Sequence, residues 1–432
     1  MERAMWLSGQ IVPMNFAMTA RIGGDFSVEQ LHAALARVRE RHPLIAVRVA
    51  VDEVEGACFV SEGVPDFSVR VLTGCGDADW TAVVKEELGE PFAWDRGPFV
   101  RFVLLRGPDF SDLVAVCHHG ICDGMAGAYL LRDVLQALGE PAVSLAPLPV
   151  PPDLWALMPA AARAAPRARF QMAATKALLR VARFAQRIWR RVAPRPAVAT
   201  GEGLPAWKRF CVLGWALDEA QTSQLVARCR AERTSVHAAI CAAWLRAFAE
   251  MQPRRKSWVR KVSSPISLRK RLTPPADEAF GLFMSVVVTA TNCAPGRDLW
   301  DIARDIKQEL NKGSTDAKIF RWLLNMQSMV SAFSDADMLS VLDEFASQPV
   351  GYDFSITNLG RLDFPMRYGP LRLEAMYGPA VNTSEQERTV GVTTIGGRMT
   401  FTLAFRDFVL DPAAAEQLKA RAMARLGEAA GW

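Results

Sequence analysis

His118-His119-Gly120-Ile121-Cys122-Asp123-Gly124 is the stretch on which the reading of this 432-residue chain turns. An apolar run, Leu113 to Cys117, precedes it and reads as a buried strand; Met125 to Leu138 follows with helical apolar spacing. Two histidines and an aspartate therefore sit where a strand hands over to a helix, a junction that presents side chains to a cleft on rigid supports. A neutral imidazole suits proton abstraction near pH 7. The two glycines allow a tight turn or a close ligand approach. A competing reading is a buried turn in which His118, His119 and Asp123 merely satisfy one another. A metal site is disfavoured, because adjacent histidines on a strand point to opposite faces and no other His or Cys cluster lies nearby in the sequence.

Half of the residues are apolar, enough for a large core, and the length suggests two lobes. No apolar run is long enough to span a bilayer. The first residues lack the basic-then-apolar pattern of a secretory signal. Eight scattered cysteines without a CxxC pair suit a reduced, cytoplasmic setting. The formal charge of +5 is local in origin. Leu154 to Gly201 carries ten Lys and Arg and no acid, and without them 41 basic residues face 46 acidic ones. A nucleic-acid partner is therefore not expected.

Several further stretches share one pattern with the heptad. Ser27 and Gln30 form a capping box ahead of a helix that Pro43 ends, and Leu44 to Val51 reads as a strand. Asp79 to Gly89 reads as a helix leading through Pro91-Phe92 to the strand in Asp95 to Leu105. In the second half, Arg209 to Leu217 is a strand and Asp218 caps a helix. Thr234 opens an Ala-rich helix from Ser235 to Met251. Ser257 to Ser267 and Phe280 to Thr291 read as strands around Arg269 and Arg271. Asp298 to Lys312 and Lys318 to Phe333 are helical, Tyr352 to Phe364 contains Asn358-Leu359-Gly360-Arg361, and Pro412 opens a final helix.

The heptad matches the HHxxxDG motif, and the chain from about Pro13 to Leu426 resembles the condensation-domain and CoA-dependent acyltransferase superfamily. Its layout is similar to that of phthiocerol/phthiodiolone dimycocerosyl transferase-like O-acyltransferases. The resemblance rests also on the Arg41-His42-Pro43 turn, the passage Gln224 to Ala249, the Leu268-Arg269 segment before Gly281-Leu282-Phe283, and the Asn358 turn. Thr357 stands where serine is usual, and Gly281 to Ser285 lacks the common Asn. The resemblance implies an α/β (α+β) fold of two chloramphenicol-acetyltransferase-like lobes in a V with a channel between them. The expected parts are an N-terminal lobe over residues 1–150, a basic crossover over 151–205 and a C-terminal lobe over 206–432.

The same resemblance implies His119 as general base, His118 as its secondary neighbour, Asp123 paired with Arg269 to fix the turn, and Gly124 leaving room for substrate. Arg271 is the alternative partner of Asp123, and Asn358 and Gly281 are expected along the channel. His42 and His237 are expected to be structural. No cofactor or metal is implied. The donor is an acyl-CoA or an acyl carrier protein thioester, and the acceptor is a hydroxyl, of lipid or polyketide type. An amide-forming condensation enzyme and a non-catalytic carrier-docking scaffold are the alternatives. Arg167 to Ala193, if helical, would carry an all-basic face; this suits peripheral contact of residues 163–195 with an anionic membrane surface or an acidic carrier protein. Two lobes in one chain suggest a monomer.

Overall fold

The computed structural model describes residues 2–52, 56–74, 76, 79–164, 208–252, 257–346 and 348–432. The basic run Arg167 to Ala193 lies outside the described residues. In chain order the elements are α1 (Glu2–Gly9), β1 (Asn15–Gly23), α2 (Val28–Arg41), β2 (Arg48–Asp52), β3 (Gly56–Val60), β4 (Val69–Thr73), α3 (Asp79–Gly89), β5 (Val100–Arg106), β6 (Phe110–His118) and α4 (Gly124–Gly139). Two short helices, Leu154–Leu157 and Ala160–Ala164, follow. Beyond the basic run come β7 (Phe210–Leu217), α5 (Glu219–Ala231), α6 (Val236–Glu250), β8 (Val259–Ser267), β9 (Met284–Asn292), α7 (Leu299–Gly313), α8 (Asp316–Ala332) and α9 (Asp335–Ala346). The chain ends with β10 (Phe354–Arg361), β11 (Arg367–Tyr368), β12 (Leu371–Asn382), β13 (Thr389–Ile395), β14 (Arg398–Arg406) and α10 (Pro412–Ala430).

The strands form two mixed six-stranded sheets, ordered β11-β12-β1-β6-β5-β4 and β7-β14-β13-β10-β8-β9, plus a separate β2–β3 pair. Each large sheet carries its own helices: α2 and α4 pack together on the first, α6, α7 and α10 on the second. Local sequence explains the helix starts. Ser27 and Gln30 exchange side-chain and backbone bonds at the head of α2, and Asp218 and Gln221 do the same for α5. Ser235 caps α6 through its hydroxyl.

Three expectations need correction. The first lobe is not complete at residue 150. β11 and β12, from the part of the chain expected in the second lobe, extend the first sheet, and β12 pairs with β1 along its length. Leu44 to Val51 begins as a 3-10 turn, Pro43–Ala46, before β2, because Pro43 fixes its φ and has no N–H for a ladder. Phe280 to Phe283 is not strand, because its peptide groups serve Asp123 and Leu268 instead of a neighbouring strand.

The inserted strands dock tightly. A Cβ on Gly139, at the end of α4, would land on the Tyr368 carbonyl oxygen. Gly139→Ala is therefore expected to cost about 1–3 kcal/mol, seen as a lower denaturant midpoint; an unchanged midpoint would show that this contact is not close.

Candidate active site

β6 runs through the centre of the first sheet and delivers the heptad at its end. Its register on β1 sets Asn15 opposite His118, and Asn15 faces Asn382 of β12 on the other side. The His118 amide donates to the Phe99 carbonyl at 3.0 Å and the His119 amide to the Met14 carbonyl at 2.6 Å. Both backbones are thereby fixed, and the two imidazoles leave the strand in different directions.

His118 is buried, 7% exposed, against Phe99 and Phe92 at ring distances of 5.4 and 6.2 Å. Its Nδ1 accepts from the Gly120 amide at 3.0 Å. Burial, helped by the adjacent His119, holds its pKa down at about 3. A Cβ on Gly9 would come within 2.5 Å of His118 Nε2, so α1 packs directly on the heptad.

His119 is half-buried, with its ring 5.2 Å from that of Phe16. Its Nδ1 lies 2.9 Å from the Cys122 carbonyl oxygen. A carbonyl only accepts, so Nδ1 carries the proton in the neutral ring and Nε2 keeps its lone pair. Burial lowers the His119 pKa from its ordinary value, while Asp123, the Cys122 carbonyl and Glu387 act in the opposite direction. The group stays neutral at physiological pH.

Asp123 has no such freedom. Its Oδ1 accepts from the Ala126 amide at 2.9 Å, capping α4, and from Arg269 Nη2 at 2.8 Å. Its Oδ2 accepts from the Phe283 amide at 3.0 Å, and its own amide donates to the Gly281 carbonyl at 3.1 Å. Arg269, 4% exposed, also donates through Nη1 to the Asp277 and Ala279 carbonyls at 3.0 and 2.6 Å. This cluster joins the heptad to residues 277–283 of the second half. Arg271 is occupied elsewhere, on Asp316 and the Ser314 carbonyl.

Two cavities flank the heptad. One, of about 560 Å³, reaches Gly120, Ile121 and Gly281; the other, of about 620 Å³, reaches Asp123, Gly124 and Asn358. Gly124 lines the second, but a Cβ there would also meet Pro379 and Leu359 at 3.1 and 3.2 Å. Asn358 Oδ1 accepts from the Gly360 amide at 2.7 Å and shapes its own turn. Arg361 is exposed and pairs with Asp363.

The other cysteine and histidines singled out in the sequence are engaged by their own surroundings. Cys122 is buried, and burial beside Cys117 raises its thiol well above the ordinary range, so a thiolate is not available. His42 is held by Asp133 at 2.8 Å, and His237 by the Ser264 hydroxyl at 2.8 Å. Burial keeps His237 at about 4. For His118 and His237 the folded pKa lies below the unfolded value near 6.5. The unfolded chain therefore binds more protons between those values, and the contribution of these groups to stability is full above pH 6.5 and falls as the pH drops through that window. Chemical denaturation at pH 7 and pH 5 should show the lower midpoint at pH 5.

Two features had no reading in the sequence. α1 has no marked apolar periodicity, so its seat on His118 was hidden. Glu387 is the other. It is 9% exposed and accepts from the Tyr352 hydroxyl at 2.7 Å and the Thr383 hydroxyl at 2.5 Å. Thr383 follows Asn382 at the end of β12, and the Glu387 carboxylate acts on His119 by favouring its protonated form. Its Gln-Glu-Arg surroundings look like a plain polar turn in the sequence.

Comparison with known proteins places this mixed two-sheet fold among those of condensation domains. The chain superimposes on the first condensation domain of the calcium-dependent antibiotic synthetase with a TM-score of 0.66 at 15% identity, covering 99% of this chain and 94% of that one. It superimposes on polyketide synthase associated protein 5 from Mycobacterium tuberculosis with a TM-score of 0.67 at 19% identity, covering 99% and 96%. Residues 208–404 match the family model for the C-terminus of phthiocerol/phthiodiolone dimycocerosyl transferase. The transferase of that name from Mycobacterium tuberculosis is 27% identical over 297 residues, 67% of each chain. Cyclosporin synthetase of Tolypocladium inflatum is 29% identical over 136 residues, 31% of this chain but 1% of that far longer protein. The chain thus has a condensation-domain fold and is homologous to phthiocerol/phthiodiolone dimycocerosyl transferase, so its relatives are acyl-transferring and condensing proteins. Among the described residues, no helix is long and apolar enough to cross a membrane.

Proposed function

We propose that the chain is an acyltransferase that moves an acyl group from a phosphopantetheine thioester, on CoA or a carrier protein, to the hydroxyl of a lipid-like or polyketide-type alcohol. The observation that carries this reading is the state of His119: Nδ1 is committed to the Cys122 carbonyl, and Nε2 is left with a lone pair in a neutral ring. A thioester is already activated, so a stronger nucleophile and correct placement suffice. His119 Nε2 takes the proton of the acceptor hydroxyl as its oxygen bonds to the thioester carbonyl carbon. The C–S bond then breaks, and the imidazolium returns the proton to the departing thiolate. Asp123 and Arg269 hold the turn and take no proton.

Thiol release from acyl-CoAs of graded length, with and without alcohols, tests the reading. Release that depends on the alcohol supports it. Release that depends on an amine instead supports the amide-forming alternative, to which the condensation-domain fold lends weight. Inertness toward every acyl-CoA and every carrier-bound thioester would favour a docking scaffold.

Neutral His119 is the active form, so kcat/KM rises with pH through its pKa and is level above it. Because burial lowers that pKa, the acidic limb should lie below pH 6.5. Glu387→Gln removes an influence that raises the His119 pKa and should move the limb to lower pH still. An unmoved limb would show that Glu387 does not act on the base.

A further inference from the structure

Residues 272–283 form no helix or strand, yet one turn of this stretch is gripped by charged side chains of both halves. The carbonyls of Asp277 and Ala279 both accept from Arg269 Nη1, at 3.0 and 2.6 Å. The residue between them, Glu278, sends its carboxylate to the helices of the first half. It accepts from Nη1 and Nη2 of Arg132, on α4, at 2.6 and 2.7 Å, and from Nη2 of Arg41, on α2, at 3.5 Å. A carboxylate held by a guanidinium fork is fixed in direction as well as in distance.

The two arginines are themselves anchored. Arg132 Nε and Arg41 Nε donate to the two oxygens of Asp133 at 2.8 and 2.6 Å, and that carboxylate is fully buried. The clasp on Glu278 is therefore rigid, and it closes where the neighbouring peptide groups serve Arg269. Backbone strain marks the same point. Asp277 has a φ of 30°, in the left-handed region that residues other than glycine rarely adopt. Such a conformation persists when its surroundings hold it from several sides. From here the links to the heptad are short. With Nη1 of Arg269 on two carbonyls, Nη2 reaches Asp123 at 2.8 Å. The Asp123 amide returns to the same stretch, at the Gly281 carbonyl, 3.1 Å away.

We propose that Glu278 is a positioning residue for the heptad: clasped by Arg132 and Arg41, it aims the Asp277 and Ala279 carbonyls at Arg269, and so sets the seat of Asp123 and of the turn that carries His119. Glu278 takes no proton and holds no substrate. The effect on turnover rests on the proposed acyl transfer; the effect on the seat of Asp123 does not.

Two variants and two readouts test this. Glu278→Ala removes the clasp, and Glu278→Gln keeps its shape without its charge. Amide hydrogen exchange is followed at Asp123 and Phe283, whose N–H groups bond within the cluster. It should quicken about two- to fivefold in Glu278→Ala, the worth of a partly exposed ion pair, and less in Glu278→Gln, with the amides of β6 unchanged. In alcohol-dependent thiol release, kcat should fall about tenfold in Glu278→Ala with KM for thioester and alcohol unchanged. Glu278 is 44% exposed, so salt at roughly 1 M should move the wild type toward Glu278→Ala in both readouts and leave Glu278→Ala as it is. Unchanged exchange at both amides in both variants overturns the proposal. A KM that rises at constant kcat overturns it too, because Glu278 is then a substrate contact. Faster exchange with unchanged kcat and KM also overturns it, since the clasp then has no bearing on His119. If the wild type releases no thiol from any thioester, the acyl-transfer reading fails, and exchange at Asp123 and Phe283 still decides whether Glu278 seats the heptad.

Discussion

His119→Ala should lower alcohol-dependent thiol release by about 10²–10⁴-fold, the usual worth of a positioned general base. The expectation follows from geometry. The alanine protein loses the lone pair at Nε2, and none of the neighbours can replace it. His118 is turned into the Phe92–Phe99 pocket with Nδ1 bonded to the Gly120 amide. Cys122 is a buried thiol, and both Asp123 oxygens are bonded. The substitution removes a ring that packs on Phe16, so some stability will go with it, and the melting curve of the variant should remain cooperative. kcat should fall with little change in KM for the thioester, because the ring acts on the proton rather than on the donor. Turnover retained within about tenfold would remove His119 from the base role.

Arg269→Ala should be the most damaging single change to the fold, at about 3–5 kcal/mol, the cost of leaving one member of a buried ion pair alone. Asp123 is 5% exposed and would keep only two amide donors for a full negative charge. The Asp277 and Ala279 carbonyls would also lose their donor. Arg269→Lys retains the charge but not the fork, and should fall between wild type and alanine. The double variant Asp123→Asn with Arg269→Met should be less damaged than the sum of its parts, because both charges are then gone. Denaturant midpoints for wild type, Asp123→Asn, Arg269→Met and the double variant measure this coupling. Strict additivity would mean that the two groups do not depend on each other.

Much of the architecture could be read in the residues, since apolar periodicity and capping chemistry are local. Asp79 to Gly89, Asp218 ahead of its helix, and the strand into His118 all declared themselves this way. α9 went unread although Ser334 and Asp337 carry an N-terminal signature; the Ser334 hydroxyl does accept from the Asp337 amide. What the residues withheld was long-range. Whether Leu371 begins a strand is local, whereas its place beside β1 depends on a partner more than 300 residues away. The same holds for Glu387: a turn carboxylate in sequence, it comes to act on His119 once β12, which it follows, lies beside β1.

The pairing of β12 with β1 also has a consequence for how the chain is made. When His118 leaves the ribosome, β1 has one neighbour, β6, and its other flank is an open edge. The partner for that edge is translated roughly 260 residues later, about 13–50 s at ordinary elongation rates. For that interval a nine-residue strand, wholly buried in the finished fold, offers unpaired N–H and C=O groups to any passing chain. Nascent chains are thus most exposed to mispairing before Leu371–Asn382 emerges, and shielding of the β1 edge by chaperones would matter most in that window.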